Sequence, residues 1–190
     1  MRSLKQVTSR ITLLPQDNIN TDQIIPARFL TRTTCNDWSD GLFADWKKAP
    51  NFPLKDSATG GSSILFAGSN FGCGSSREHA VWALRDAGFR VVIALSFADI
   101  FFENAVKNGV LAAAVTEDAH SQLLHVVRDY PDKEWTADLA AESIRSENEV
   151  FSFAIDPFAK HCLLRGLDEL EFLLEYEIAI NDFEVRANLR

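Results

Sequence analysis

The segment of residues 68–79 combines residue types that could act on a small anion. Its three glycines are followed directly by Ser75, Ser76 and Arg77. Glu78 stands three residues after Ser75, as in a capping box, which predicts that a helix begins near Arg77. The N-terminus of a helix exposes backbone amides and favours negative charge. Hydroxyl groups and a guanidinium at such a place predict a site for a carboxylate or a phosphate.

Three known glycine or serine motifs do not fit this segment. No Lys-Ser or Lys-Thr pair closes it, as the P-loop requires, and Arg77 occupies the position of the third glycine in the dinucleotide fingerprint. Neither Ser75 nor Ser76 is followed two residues later by a glycine, so a nucleophile elbow is also excluded. The chemistry that remains is hydrogen bonding of a carboxylate by hydroxyl groups and one arginine.

The elements around this segment predict an α/β fold. Apolar runs predict buried strands over residues 63–67, 91–95 and 110–115, and helical spacing predicts helices over residues 77–87 and 97–108. Strands that alternate with helices pair in parallel through right-handed crossovers. The segment of residues 68–79 then lies at the carboxyl edge of the sheet, where open α/β sheets bind their ligands.

The remaining parts of the chain predict elements that flank this sheet. These are a strand over residues 6–14, a helix over 117–129, short strands within 134–155 with a turn near 146–148, and a helix over 157–165 that ends at Gly166. Residues 168–185 are apolar and acidic at helical spacing. One face of that segment should therefore be part of the core or a surface for a partner.

Composition predicts a single globular domain over residues 1–190. A chain of 190 residues with 46% hydrophobic residues can bury a substantial core. A net charge of −8 disfavours binding to a nucleic-acid backbone, which depends on clustered Lys and Arg. No apolar run approaches the roughly 20 residues of a membrane helix, and the N-terminus lacks the apolar core of a signal peptide. We expect a cytoplasmic protein that binds neither nucleic acid nor membrane.

The cysteines Cys35, Cys73 and Cys162 are odd in number and far apart, which favours a reducing compartment over a disulfide framework. Three cysteines could hold an iron–sulfur cluster, but no Cys-x-x-Cys pair is present. Free cysteines commonly behave as small buried apolar residues, and we prefer that interpretation for Cys162. For Cys73, tight packing is preferred over a thiol that faces the substrate.

The histidines predict no metal site. His120 and His125 lack a partner at a spacing typical of zinc ligands. His79 falls in the first turn of the predicted helix, where packing behind a site is preferred over proton transfer. The polar run of residues 17–22 has side chains that can bind neighbouring backbone amides, so a local turn is one interpretation of it.

Residues 70–80, Asn-Phe-Gly-Cys-Gly-Ser-Ser-Arg-Glu-His-Ala, are followed by Trp-Ala-Leu at 82–84. Together they resemble the signature of the small subunits of 3-isopropylmalate dehydratase, which correspond to the swivel domain of aconitase. Residues 20–26, 96–101 and 166–170 resemble other segments of that family, in the same order and at similar separations. The resemblance implies an α/β fold with a swivelling β/β/α barrel-like architecture, like domain 4 of aconitase.

The family resemblance also implies an activity and a partner. Such a subunit belongs to a hydro-lyase that isomerises 2-isopropylmalate and 3-isopropylmalate by dehydration and rehydration in leucine biosynthesis. It acts on a small dicarboxylate only with a large subunit, as a heterodimer or heterotetramer, and the large subunit holds a four-iron four-sulfur cluster. This chain is then expected to hold no cofactor and no metal. The alternatives are a paralogous hydro-lyase for a citramalate-, dimethylmalate- or homocitrate-type substrate, and a stand-alone module that binds small carboxylates.

Matching the motifs residue by residue implies roles for five side chains. Ser75 is the expected base, and Asp22 is expected at the catalytic centre, where it orients the loop. Ser76, Arg77 and Thr21 are expected to bind the substrate. A serine hydroxyl is a poor base in water, so its alkoxide would need stabilisation by helix amides and Arg77.

The loop after Leu30 departs from the family pattern. Many bacterial relatives carry Arg-Thr-Gly-Phe-Gly there, whereas this chain has Cys-Asn-Asp-Trp-Ser at residues 35–39. We expect Arg32 to take the place of the missing arginine in substrate binding; Arg28 is the alternative, and either could be a solvated surface charge. Because this loop contacts the variable substituent of the substrate in the family, the departure leaves the choice among substituted malates open.

Overall fold

The computed structural model describes residues 1–31, 37–54 and 61–187, which form eight strands and seven α-helices. The strands are β1 (Gln6–Ser9), β2 (Ile11–Leu14), β3 (Ile64–Ala67), β4 (Val91–Ala94), β5 (Leu111–Ala114), β6 (Trp135–Asp138), β7 (Ser143–Arg145) and β8 (Val150–Ser152). The helices are α1 (Thr21–Ile24), α2 (His79–Ala87), α3 (Asp99–Lys107), α4 (Glu117–Asp129), α5 (Pro157–Arg165), α6 (Glu169–Leu174) and α7 (Glu177–Arg186).

A parallel sheet of four strands forms the centre of the fold, in the order β2-β3-β4-β5. Its register pairs Ile11 with Ile64, Ile64 with Val91, and Val91 with Leu111, so the four strands begin in line. Helix α2 connects β3 to β4, and α3 connects β4 to β5. The predicted alternation of parallel strands and helices is confirmed, and the carboxyl ends of the strands share one edge.

A second, antiparallel sheet has the order β1-β6-β7-β8. The prediction of a single strand over residues 6–14 is wrong, because the chain divides at Arg10 and the two halves join different sheets. Strand β1 pairs with β6, whereas β2 pairs with β3. The short strands expected within residues 134–155 are confirmed as β6, β7 and β8, and the amide of Ser146 donates to the carbonyl of Glu149 at 2.9 Å in the turn between the last two.

The start of α2 differs from the prediction. The helix begins at His79, and Glu78 occupies the N-cap without a capping side-chain hydrogen bond. The Glu78 carboxylate instead accepts a hydrogen bond from the Asn108 side chain at 2.8 Å. The predicted capping box is therefore wrong, because a residue distant in sequence binds the glutamate. Gly88 ends the helix as predicted, with a φ of 108° that favours glycine.

The parallel sheet separates two buried clusters of side chains. In β3, Leu65 and Ala67 belong to one cluster, and Ile64 and Phe66 belong to the other, because successive side chains of a strand point to opposite faces. Helix α2 covers the first face. Helices α4 and α5 and the antiparallel sheet cover the second. The strands are buried on both faces, as parallel sheets require.

The C-terminal segment forms two helices, α6 and α7, where the sequence predicted one helical stretch. Asp168 and Glu171 form a capping box at the start of α6. Helix α7 contains no buried residue. Within the described ranges, no helix is both long and apolar enough to cross a membrane. The prediction of one domain over residues 1–190 stays a prediction.

Candidate active site

The segment of residues 68–78, called the motif loop below, is tied along one side to the loop that follows β2. Four backbone hydrogen bonds continue the pairing of β2 and β3 beyond the strand ends. They run from Gly68 to Gln16 (3.0 Å), from Asn18 to Ser69 (2.8 Å), from Gly72 to Ile19 (2.8 Å) and from Thr21 to Cys73 (2.9 Å). The loop is thus held in register with its neighbour almost as a strand would be.

On its other side the motif loop pairs with the loop that follows β4. The amide of Phe71 donates to the carbonyl of Ser96 at 3.0 Å, and the amide of Ala98 donates to the carbonyl of Phe71 at 3.0 Å. The Ser96 hydroxyl also accepts from the amide of Asn70 at 2.8 Å. Three segments that are far apart in sequence therefore meet at the carboxyl edge of the sheet, with the motif loop in the middle.

Two glycines make this close packing possible. A Cβ atom at Gly68 would collide with the Asp17 carboxylate and with the backbone of Gln16. Gly72 has a φ of 77°, and a Cβ there would collide with the ring of Phe101. These positions accept only glycine without a shift of the surrounding backbone or core.

Thr21 lies directly behind Ser75. Thr21 is the first residue of α1, which begins with a capping box between Asn20 and Gln23. Its side chain is buried, and its hydroxyl donates to the Ser75 carbonyl at 3.0 Å while lying 3.1 Å from the Ser75 hydroxyl oxygen. Since a hydroxyl has one proton to donate, the second contact makes Ser75 the donor to Thr21. Thr21 thus orients both the backbone and the hydroxyl of Ser75.

Asp22 binds Arg77. The guanidinium donates through Nη1 to Oδ1 of the carboxylate, and the Arg77 side chain is only 23% exposed. Because a guanidinium has five N–H groups in a fixed plane, one anchored nitrogen still leaves an edge for a second acceptor. Ser75 and Ser76 are exposed beside this pair. The structure therefore brings together Thr21, Asp22, Ser75, Ser76 and Arg77, all five of the predicted residues that it describes.

The serines do not occupy the helix N-terminus that the sequence predicted. The amide of Arg77 donates to the Ser75 carbonyl at 2.8 Å, which forms a tight turn before α2 begins at His79. In the described part of the chain, the amides of Ser76 and Glu78 donate to no backbone carbonyl. Backbone amides of this turn therefore remain without a backbone acceptor, although the helix starts later than expected.

His79 is enclosed by aromatic rings. Its ring centroid lies 4.8 Å from that of Trp38 and 4.5 Å from that of Trp82. Burial lowers the pKa of His79, which favours the neutral imidazole. The backbone amide of Trp38 is in turn bound by the Asp86 carboxylate at 3.1 Å. This packing agrees with a structural role for His79, and the contact with Trp38 had no signal in the sequence.

Sequence reasoning also missed a polar clamp between the two loops. The side-chain amide of Asn70 donates to the side-chain oxygen of Asn18 at 2.8 Å, and both residues have positive φ, at 53° and 55°. Asparagine adopts this conformation more readily than most residues. Asp17 accepts from the amide of Ser69 at 2.7 Å, and the hydrogen bonds from Ser69 lower the pKa of Asp17. The polar run of residues 17–22 therefore serves the motif loop as well as its own turn.

The described cysteines do not form a cluster site. Cys73 is partly exposed on the motif loop, with its thiol 3.4 Å from the carbonyl of Asn18, whereas Cys162 is buried within α5. Burial raises the pKa of the Cys162 thiol, which disfavours the thiolate that ligation requires. Among the residues that the structure describes, no group of three His, Cys, Asp or Glu could hold a metal ion. Cys35 lies outside the described residues.

The predicted substrate-binding residue Arg32 also lies outside the described residues, so its placement stays a prediction. The alternative, Arg28, is engaged elsewhere. Its guanidinium donates to the Asp45 carboxylate at 2.8 Å and lies 4.9 Å from the ring centroid of Phe29. Arg28, together with Lys48, lowers the pKa of Asp45 to about 2. Arg28 is therefore part of a surface ion pair in this structure.

Comparison with known proteins agrees with this geometry. The model of the aconitase C-terminal domain family matches residues 1–118. The chain is 47% identical over 197 residues to a 3-isopropylmalate dehydratase small subunit of Roseiflexus sp. (strain RS-1), covering 100% of this chain and 97% of the relative. It is 45% identical over 185 residues to one from Francisella tularensis subsp. novicida (strain U112), covering 97% of each.

A solved structure shows the same fold. The crystal structure of 3-isopropylmalate dehydratase from Methanocaldococcus jannaschii superimposes with a TM-score of 0.68 at 27% identity, covering 93% of this chain and 98% of that one. The predicted α/β swivel-domain fold is thereby confirmed. By its motif, its fold and its full-length similarity, the chain belongs to the family of 3-isopropylmalate dehydratase small subunits, within the aconitase C-terminal domain family.

Proposed function

We propose that this chain is the small subunit of a hydro-lyase that isomerises 2-isopropylmalate and 3-isopropylmalate through dehydration and rehydration, a step of leucine biosynthesis. Similarity along the whole chain to subunits of that name is the observation that carries the proposal. The grouping of Ser75 with Thr21, and of Arg77 with Asp22, supports it. A cytoplasmic location is part of the proposal, since the reaction serves amino-acid synthesis.

The geometry suits removal of a proton next to a carboxylate. Such a step needs a base and a group that stabilises the charge developing on the carboxylate. Ser75 is the proposed base; its exposed hydroxyl contacts Thr21, whose own proton can turn from the Ser75 carbonyl to an alkoxide. The amide of Ser76, which donates to no backbone carbonyl in the described structure, is proposed as a further donor. The charge on Ser75 is thus stabilised by groups that the loop already holds in place.

Arg77 is the proposed ligand of the substrate carboxylate. Its guanidinium is oriented by Asp22, so the plane that meets the substrate is set before binding. Asp22 acts at the catalytic centre through this contact. Ser76, exposed beside Ser75, is proposed to bind the same carboxylate. Arg32 is proposed to contact the variable substituent of the substrate.

Departure of hydroxide requires a Lewis acid, which the residues described here do not supply. The proposal assigns it to a four-iron four-sulfur cluster held by the large subunit, with which this chain forms a heterodimer or heterotetramer. The isolated chain should then contain neither iron nor sulfide after anaerobic purification. Stoichiometric iron that is lost when Cys35, Cys73 and Cys162 are replaced would contradict this division.

One observation favours a second candidate. The loop at residues 35–39 lacks the arginine and both glycines of the common family pattern, so a paralogous enzyme could act on a different substituted malate. The deciding experiment reconstitutes the chain with its large subunit without oxygen and measures kcat/KM for isopropylmalate, citramalate, dimethylmalate and homocitrate. Preference for isopropylmalate supports the main proposal. Preference for another of the four supports the paralogue, and carboxylate binding without turnover in the reconstituted pair would support a stand-alone binding module.

A further inference from the structure

Residues 168–187, called the C-terminal arm below, expose an unusual amount of apolar surface. Eight large apolar side chains are between 42 and 81% exposed, namely Leu170, Leu173, Leu174, Tyr176, Ile178, Ile180, Phe183 and Val185. The arm is anchored mainly through Phe172, whose ring centroid lies 4.8 Å from that of Phe158, and through Glu175, which binds His161 at 2.9 Å and Arg165 at 3.0 Å. Beyond Glu175, no residue of α7 is buried.

The pattern of α7 indicates that the helix is covered from more than one side. At 100° per residue, Ile178 and Val185 lie on one side, and Ile180 and Phe183 lie on the opposite side. A helix at the surface of a domain has one apolar stripe, and a helix that is apolar on opposite sides is typical of a buried position. In the described structure all four side chains contact solvent. The sequence of α7 is therefore typical of a helix with apolar neighbours on both sides, which the described part of this chain does not provide.

The amount of exposed apolar surface matches that of a protein interface. At roughly 100 Å² per exposed side chain, the eight residues together present on the order of 800 Å², distributed around the arm rather than in one contiguous patch. This area is close to the surface area that each partner buries in a standard protein–protein interface. The arm can therefore account for much of a stable association.

Charge distinguishes between the possible occupants of this surface. Residues 168–187 contain seven acidic residues and one basic residue, Arg186, in a chain whose net charge is −8. A second copy of the chain, related by a two-fold axis, would place one acidic arm against another, which repels. The complementary surface is an apolar groove bordered by Lys and Arg side chains. The chemistry thus points to a different protein as the occupant.

The arm is also continuous with the candidate active site. A cavity of about 760 Å³ is lined by Ser96 and Phe97, which follow β4 beside the motif loop, and also by Asp168 and Glu169 of the arm. Phe102 of α3 lines the same cavity. A partner that reaches the motif loop at Ser96 can therefore contact the arm without crossing unrelated surface. The large subunit must reach that loop if it brings the cluster to the substrate.

We propose that the C-terminal arm is a docking element for the large subunit, which receives α7 in an apolar groove bordered by basic side chains. This inference rests on the proposed function, because it takes the large subunit as the partner. It adds the location and the chemistry of the contact. The arm then contributes to association, while the residues of the motif loop contribute to turnover.

The test measures the affinity of the purified chain for the large subunit under anaerobic conditions. The double variant Ile178→Ser with Phe183→Ser should raise the dissociation constant at least tenfold, because two central apolar contacts are lost. Val150→Ser is the matched control, since Val150 is 68% exposed on β8 outside the arm, and it should leave affinity within twofold. Circular dichroism of the isolated variants should match that of the unmodified chain.

A second pair of variants tests the charge of the groove. Glu177→Gln with Asp182→Asn should weaken binding and reduce its dependence on salt, because the attraction to basic side chains is lost. Glu134→Gln with Asp129→Asn removes the same charge outside the arm and should change neither quantity. Unchanged salt dependence in the arm variant would overturn the assignment of basic side chains to the partner.

Three outcomes overturn the inference, and each is recognisable. The first is an affinity that the apolar arm variant leaves unchanged. The second is a chain that self-associates through the arm, so that the variant becomes monomeric but still binds the large subunit as before. The third is an unmodified chain that neither binds the large subunit nor supports turnover with it, which is a failure of the proposed function rather than of the arm alone.

Discussion

The carboxyl edge of the parallel sheet and the C-terminal arm differ in how much of their structure this chain supplies. At the sheet edge, the motif loop is hydrogen-bonded on both sides and rests on Phe71 and Phe101, which are almost fully buried. In the arm, α7 buries no residue. The candidate active site is thus organised within this chain alone, whereas the proposed docking role would give α7 the cover that this chain does not supply.

This difference has a physical basis. The backbone groups of the motif loop satisfy one another across three loops, so moving one segment breaks bonds in its neighbours. The arm depends on helical hydrogen bonds within each segment, on the aromatic contact of Phe172 and on exposed ion pairs such as those of Glu175. Local helices of six and ten residues are marginal in water without packing. Changes at the sheet edge should therefore affect chemistry or folding, and changes in the arm should affect association.

The largest effect is expected for Ser75→Ala. Loss of the proposed base should reduce kcat of the reconstituted enzyme by at least about a thousand-fold, or roughly 4 kcal/mol of transition-state stabilisation. Affinity for the large subunit and the free energy of unfolding should stay nearly unchanged, because one exposed hydroxyl is removed. Ser76→Ala is the control and should have a milder effect. Near-normal turnover in the Ser75 variant would show that another group is the base.

Gly72→Ala should destabilise the isolated chain by about 3 kcal/mol, since the new methyl group would meet the buried ring of Phe101 and the positive φ would be strained. Gly74→Ala is a matched control. It shares a positive φ of 93°, but its Cβ would lie 3.4 Å from the side chain of Asn20, an ordinary contact. The control should lose only about 1 kcal/mol. Urea unfolding measures both, and equal losses would mean that the Phe101 contact is not a constraint.

Arg77→Lys should lower kcat/KM by about a hundred-fold, which corresponds to about 2.7 kcal/mol. An ammonium can still pair with Asp22, but it lacks the planar edge that binds a carboxylate at two points. Steady-state kinetics of the reconstituted enzyme measure the change. A loss of less than about threefold would indicate that Arg77 only supports the loop structure.

A smaller effect is expected from the hydrogen bonds that join Asp17 to the motif loop. Hydrogen bonds from Ser69 hold the pKa of Asp17 below its ordinary value of 3.8 in the folded state. Below about pH 4, the unfolded state therefore binds more protons than the folded state. The contribution of Asp17 to the free energy of unfolding is full above that window and is lost as the pH falls through the folded pKa. The difference in stability between the unmodified chain and Asp17→Asn should shrink as pH falls from 5 to 3. A difference that stays constant over this pH range would mean that the contact with Ser69 does not depend on the charge of Asp17.

The smallest effect is expected where the arm is changed in the isolated chain. The double variant Ile178→Ser with Phe183→Ser should alter the free energy of unfolding by less than about 0.5 kcal/mol, because both side chains are already exposed. The same variant is the one expected to weaken association most. A clear loss of stability in the isolated chain would mean that the arm packs onto this protein itself, and the contrast between the two regions would then fail.

Several features followed from local sequence. The apolar runs of β3, β4 and β5 are buried on both faces. Because the segments between them carry apolar residues at helical spacing, alternating strands and helices, and hence parallel pairing, could be predicted. Gly88 and Gly166 both adopt positive φ at helix ends, as predicted. The placement of Ser75 and Arg77 at the carboxyl edge followed from the position of the motif after β3. These features depend on residues within a few positions of one another.

Other features were decided only by the tertiary structure. The capping box at Ser75 and Glu78 satisfied the local rule, yet Asn108, the residue that caps the end of α3, binds that glutamate. The division of residues 6–14 at Arg10 depends on two sheets whose other strands lie far along the chain. The pairing of Asp22 with Arg77 and of Thr21 with Ser75 likewise joins segments more than fifty residues apart. Local propensity and residue type were enough to predict most of the elements and the chemical groups at the site. The tertiary structure decided which groups meet, because that depends on long-range hydrogen bonds and packing that local patterns do not encode.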